Sequence, residues 1–437
     1  MVSFKNLIAV FLMMLASAAV SAAAEDNWVT SWAASVQGPY PVGNPSAQPN
    51  LTLVFPSPES GARDQSFRLI VKPELWGAKT RFRFSNALGT QPVTFDGVFV
   101  GMQWSGSAVM PGTNSAVKFH GKNTVTVAPG QSVWSDAVAL PFVKKGKELR
   151  GRKLAVSFHV AGNSGPMTWH AKALQSSYVT LPGAGAKGGD LSEDAFPFAV
   201  ASWYFLDALD MSAPMGGGAI VAFGDSITDG TASSMNGDDR WPDVLARRLD
   251  GRLSVVNAGI GGNQVVGPKE YSPQKPFAGG PSALQRLDRD VLTLSGVKAV
   301  IWLEGTNDFS KNGNAEADAV IAGVRDGVAR IRAKIFGVKV IGATLTSALG
   351  STSPAHGFEL QDEKRKKFND FVRSSGVFDG VADFDRATTD TQTGGMKAEF
   401  VPDNTVGGPG DKLHPNRMGY QVMGMSIDLS LFGTSGK

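Results

Sequence analysis

The chain has 437 residues, 42% hydrophobic and 19% charged, enough apolar material for two domains of ordinary size. Its near-balanced net charge of +3 argues against a nucleic-acid partner, since such binders concentrate basic charge. The absence of cysteine excludes a disulfide framework and a thiol nucleophile.

At the N terminus, Lys5 precedes an apolar run from Leu7 to Leu15. Small residues follow, ending in Ala22-Ala23-Ala24 before Glu25. The run is shorter than the roughly 20 residues that span a bilayer. Residues 1–24 therefore read as a cleavable secretory signal, cut after Ala22 or Ala24, and not as an anchor. That implies a secreted or periplasmic bacterial protein without stable membrane insertion.

From Trp28 to about Asp210 the pattern is that of β-strands. Arg81 to Ser85 and Lys153 to Val160 alternate with period two. Val93–Val100, Thr124–Val127 and Ala201–Leu206 are further strand candidates. Asn86, Gly89 and Pro129-Gly130 mark turns, and the tract from Gly183 to Gly189 reads as a long loop. Many short strands with turns between them predict a β-sandwich-like domain over 25–213. Trp76, Trp104, Trp134 and Trp169 would stack on sugars if exposed, but packing in the core is the expectation. His170, beside Trp169, is given a structural role.

Pro214 to Gly218 forms the boundary, and 214–437 reads as α/β. Strands are predicted at 219–223, 253–256, 297–303, 338–345 and 377–383. Helices are predicted at 241–249, 315–335, 359–374 and 416–429. The last carries Met418, Val422, Met425 and Leu429 on one face. The run Lys364-Arg365-Lys366-Lys367 shares its helix with Glu359, Asp362 and Glu363, so it reads as a solvated face. Alternating strands and helices predict a parallel sheet covered on both sides. Ligands of such sheets bind beyond the carboxyl ends of the strands.

Three motifs follow strands. Gly224-Asp225-Ser226-Ile227-Thr228-Asp229-Gly230 follows the first and brings the Ser226 hydroxyl to a strand end. Asn257-Ala258-Gly259-Ile260-Gly261-Gly262-Asn263 follows the second, where a glycine can aim its N–H at a ligand. Gly305-Thr306-Asn307-Asp308 follows the third, and the Asn307 amide can donate to an oxyanion. A fourth motif, Asp411-Lys412-Leu413-His414-Pro415, precedes the last helix. Pro415 biases His414 away from helical geometry, and Asn416 can cap the helix. Asp411 can reach one ring nitrogen of His414 and leave the other to take a serine proton. Of the five histidines only His414 has this setting. Each motif alone has an ordinary explanation as a turn or cap.

Taken together, in this order, the motifs resemble the SGNH (GDSL-type) hydrolase superfamily. Arg240-Trp241-Pro242, Arg286–Leu292 and Glu304–Asp308 are similar to a secreted bacterial branch with an N-terminal β domain. Trp28–Ser35 and Arg83–Gly89 resemble segments of that domain. The resemblance implies a three-layer, flavodoxin-like SGNH hydrolase fold. It also implies Ser226, Asp411 and His414 as the catalytic triad. Asn307, the Gly262 N–H and the Ser226 N–H would form the oxyanion hole, with Gly259 as the alternative glycine. No metal or organic cofactor is implied. The expected activity is serine ester hydrolysis, on a small-molecule or polysaccharide ester, with a carbohydrate O-acetyl ester favoured. A lipid esterase or lysophospholipase, an acyltransferase, and a non-catalytic glycan-binding protein compete with it.

Overall fold

In the computed structural model, which describes residues 26–144, 149–402 and 408–433, the two periodicities of the sequence give two kinds of sheet. The expected signal segment, 1–24, lies outside the described residues. The first half is antiparallel. Its longer strands are β1 (Trp28–Ala33), β2 (Arg63–Val71), β3 (Lys79–Ser85), β4 (Val93–Ser105), β5 (Leu154–Asn163) and β6 (Leu206–Ser212). Among the described residues one sheet is built on the order β1-β6-β3 and a second on β2-β5-β4.

The alternation in β3 explains how the first sheet is used. Phe82 and Phe84 point to one face and are fully buried. Phe84 packs edge-on against Phe158 of β5 at 5.3 Å, and Phe158 stacks on Phe67 of β2 at 5.2 Å. The two sheets thus share one apolar core. Arg81 and Arg83 point to the opposite face, where they pair with Asp210 and Asp207 of β6 at 2.8 and 2.6 Å. Arg83 continues to the Thr293 hydroxyl at 3.0 Å, in the second half of the chain. One face of β3 builds the core and the other joins the two halves.

The second half is parallel. Its strands are β7 (Ala219–Gly224), β8 (Ser254–Gly259), β9 (Val297–Leu303), β10 (Lys339–Ala343) and β11 (Gly380–Ala382). Among the described residues they lie in the order β8-β7-β9-β10-β11. The connecting helices are α1 (Ser226–Asp229), α2 (Trp241–Leu249), α3 (Ala283–Leu287), α4 (Ala317–Lys334), α5 (Glu359–Ser374), α6 (Phe384–Thr388) and α7 (Arg417–Ser426). The strand order reverses between β7 and β9, whose ends Gly224 and Leu303 lie side by side. A crevice forms at such a reversal, and it is the expected ligand position in a sheet of this kind.

Several expectations need correction. The strand expected at 377–383 shortens to Gly380–Ala382. The stretch 201–206 is broken, with strands at Trp203–Tyr204 and from Leu206 on. Arg365 is not part of a solvated face. It is buried and pairs with Asp362 at 2.7 Å and Asp385 at 2.6 Å. Lys366 and Lys367 of the same run do remain in solvent.

The face of α7 is also rotated from the expected one. Gly419, Tyr420, Met423 and Gly424 are buried, whereas Met418 and Met425 are about half exposed. A Cβ on Gly424 would lie 2.5 Å from the Cβ of Val244 in α2. Close approach of α2 and α7 selects glycine there, so the methionines turn outward. No helix among the described residues is long and apolar enough to cross a membrane.

Candidate active site

Ser226 owes its position to a strand that ends abruptly. The apolar strand β7 is wholly buried and stops at Gly224. Asp225 then caps α1, its carboxylate accepting the Ile227 N–H at 2.9 Å. Ser226 is thereby the first residue of a one-turn helix that Gly230 closes in a left-handed conformation. Its Oγ lies 2.8 Å from Nε2 of His414.

His414 comes from the loop before α7. Its Nδ1 lies 2.6 Å from Oδ2 of Asp411. The other Asp411 oxygen accepts the N–H groups of Leu413 and His414, each at 2.9 Å. One carboxylate thus folds the loop and fixes the ring. Asn416 caps α7 through the N–H groups of Met418 and Gly419, at 3.0 and 3.1 Å. Burial pushes the Asp411 carboxyl up, but His414 and the two backbone donors outweigh it and hold the acid well below the usual carboxylate range. The adjacent His356 is pushed down to about 4 by burial and by His414, so it stays uncharged at neutral pH.

The glycine and asparagine motifs meet beside this pair. Asn307 Nδ2 donates to the carbonyl of Asn263 at 2.9 Å, which ties the third motif to the residue after Gly262. Its second amide hydrogen has no acceptor among the described residues. Asp308 holds the same turn by accepting the N–H groups of Val265 and Val266, at 2.8 and 3.0 Å. Gly259 is excluded as the open donor, because its N–H is spent on Asn257 Oδ1 at 2.9 Å. The N–H groups of Ser226 and Gly262 have no acceptor among the described residues. Gly262 sits at φ +85°, where a side chain is strained.

Beneath the site lies a residue whose role the sequence did not give. Arg286 of α3 is fully buried. It donates to the carbonyls of Gly224 at 2.9 Å and Ala258 at 2.8 Å, the ends of β7 and β8. It also meets Asn263 at 2.8 Å, Asp290 at 3.0 Å and Glu304 at 3.3 Å. One guanidinium therefore gathers the strand ends that carry three motifs. A buried ionic contact of this kind costs about 3–5 kcal/mol to break from one side. Its segment, Arg286–Leu292, stood out in the sequence only through the resemblance.

The structure thus brings Ser226, His414 and Asp411 into one hydrogen-bonded chain, with Gly262 and Asn307 on adjoining turns. His170 is buried, its Nδ1 2.7 Å from the carbonyl oxygen of Ser35. Of the four tryptophans singled out, Trp76 and Trp169 are buried and Trp134 is half-buried. Trp104 is 65% exposed and departs from the expected core packing. Among the described residues no group of three His, Cys, Asp or Glu could hold a metal ion.

Residues 222–422 match the GDSL-like lipase/acylhydrolase family. No curated protein sequence matches the chain. Among solved structures, a carbohydrate acetylesterase family member from Sinorhizobium meliloti is similar at 16% identity. It aligns with 50% of this chain and 100% of its own, at a TM-score of 0.38. The native aryl esterase of M. smegmatis is similar at 18% identity, over 48% of this chain and 95% of its own, with a TM-score of 0.37. A GDSL-like lipase from Bacteroides thetaiotaomicron is similar at 16% identity, over 49% and 88%, with a TM-score of 0.36.

Proposed function

We propose, from the match of residues 222–422 to the GDSL-like lipase/acylhydrolase family, a carboxylic ester hydrolase with a Ser-His-Asp triad that works through an acyl-enzyme. The observation that carries the proposal is the contact chain from Ser226 Oγ to His414 Nε2 at 2.8 Å and from His414 Nδ1 to Asp411 at 2.6 Å. In this reading 214–437 make a three-layer, flavodoxin-like catalytic domain, and 25–213 a β-sandwich-like partner.

The chemistry follows from the contacts. His414 Nε2 takes the Ser226 proton as Oγ bonds to the ester carbonyl carbon. The carbonyl oxygen becomes an oxyanion, received by the Ser226 and Gly262 N–H groups and the open N–H of Asn307. Asp411, ionised and hydrogen-bonded to Nδ1, stabilises the imidazolium. The proton then passes to the leaving alcohol as its C–O bond breaks. Water attacks the acyl-enzyme by the same steps and releases the acid. Asn307→Ala removes one oxyanion donor, and kcat is expected to fall about 100- to 1,000-fold with little change in KM. Steady-state kinetics on an aryl ester check this; a loss confined to KM would contradict the role.

We propose a carbohydrate O-acetyl ester as the substrate. Support comes from an open groove that includes Trp104, Tyr178, Gln103, Gln175 and Asn236. The exposed Trp104 indole beside the Tyr178 hydroxyl offers a sugar ring a stacking face and a hydrogen-bonding group. Gln175 Nε2 donates to Asn236 Oδ1 at 2.9 Å, so the groove joins the antiparallel half to the segment after α1. The test is a ladder of aryl esters assayed beside acetylated polysaccharides. A sharp preference for acetyl, with acetate release from polysaccharide, is expected. A preference for medium or long acyl chains would instead identify a lipid esterase.

A further inference from the structure

The turn bearing Gly262 is held from the antiparallel half of the molecule. The Gly261 carbonyl accepts a hydrogen bond from Asn44 Nδ2 at 2.7 Å. Asn44 lies in the segment between β1 and β2, far from the α/β half in sequence. The peptide joining Gly261 to Gly262 is not among the cis bonds. In a planar trans peptide the carbonyl and the following N–H point in opposite directions. A donor fixed on the Gly261 oxygen therefore fixes the direction of the Gly262 N–H. The fit is close: a Cβ on Gly262 would come within 2.8 Å of Asn44 Nδ2.

The other side of Gly261 is held as well. Its N–H donates to Asp229 Oδ2 at 2.9 Å. Asp229 ends α1, the helix that begins with Ser226. Its second oxygen lies 3.2 Å from His170 Nε2, and that nitrogen also lies 3.1 Å from the Lys172 carbonyl oxygen. The Lys172 ammonium bonds the Thr231 hydroxyl. Both side chains come from the antiparallel half. Burial pushes the Asp229 carboxyl up, but His170, Lys172 and Arg240 together bring it below its ordinary value. Asp229 is thus held as an ionised acceptor for Gly261.

We infer that Asn44 is a positioning residue for the esterase reaction, aiming the Gly262 N–H at the oxyanion through the 261–262 peptide. The antiparallel half then contributes to turnover directly, beyond any part in binding a glycan. The inference rests on the reading of Gly262 as an oxyanion donor. A donor displaced by a fraction of an ångström loses much of its effect on the transition state while leaving ground-state binding intact.

The experiment compares Asn44→Asp and Asn44→Ala with the wild-type chain, each beside Ser226→Ala. Asn44→Asp keeps the shape and removes the donor. Both Asn44 variants are expected to lose about 10- to 100-fold in kcat, with KM within about twofold. Their melting temperatures should match wild type. Affinity for a boronic acid, whose adduct carries an oxygen into the oxyanion site, should fall by the same factor as kcat. Unchanged kcat would overturn the inference, as would a loss confined to KM. So would kcat and melting temperature falling together, which marks a merely structural contact. An inactive Ser226→Ala beside unimpaired Asn44 variants sinks this inference alone. A Ser226→Ala variant that stays active sinks the reading of the active site, and the inference with it.

Discussion

Ser226→Ala is expected to lower turnover of a carboxylic ester by about 10⁶-fold, the loss typical of a serine nucleophile within a triad. The effect is large because no other group takes over bond formation to carbon. The variant should nonetheless fold. The Ser226 hydroxyl bonds only His414 among the described contacts, while α1 is capped by Asp225 and closed by Gly230. The single added apolar surface is small. Kinetics read beside circular dichroism check both halves of the prediction. Full activity in a folded Ser226→Ala protein would remove the serine from the mechanism.

Asp411→Asn has the second largest expected effect, about 10⁴-fold in kcat. Its physical origin is a tautomer. Oδ1 accepts two backbone N–H groups, so an amide at this position keeps its oxygen there. Its NH₂ then faces His414 Nδ1. That forces the ring hydrogen onto Nε2, the nitrogen that must accept the Ser226 proton. The loop keeps its shape and the base is lost.

The pH profile separates the two residues. Asp411 is held well below the usual carboxylate range, so it remains ionised as the medium is acidified. Protonation of Asp411 therefore does not set the acid limb of the wild-type kcat/KM profile. A general base works only when unprotonated, so the residual activity of a His414→Ala variant is expected to lack that limb. An identical acid limb in that variant would assign it elsewhere.

Much of this site was legible because chemistry and strand periodicity coincide in the sequence. Ser226, Gly262 and Asn307 each follow an apolar run that becomes β7, β8 or β9. Asp411 and His414 are three residues apart before a proline, a spacing that local chain geometry alone can close. Residues that act across long separations left no such pattern. Asn44 is one amide in a polar segment, and only the packing of the two halves brings it to Gly261. Arg286 reads as an ordinary helical arginine until the strand ends converge on it.

The departures from the sequence pattern have the same origin. Hydrophobic periodicity treats methionine as buried and glycine as neutral, whereas α7 packs Gly424 against α2 and Gly419 against Pro415 and Phe400 and leaves Met418 exposed. A run of basic residues predicts solvent, yet Arg365 finds two carboxylates inside. Residue type favours the core for Trp104, yet its strand turns it outward.

An activated nucleophile at Ser226 reacts covalently with a fluorophosphonate. The experiment labels the intact protein and locates the adduct by peptide mass spectrometry. A single adduct on the peptide containing Ser226 is predicted, lost in Ser226→Ala and slowed by His414→Ala. Absence of labelling in a protein that hydrolyses esters, or an adduct at another residue, would contradict the account.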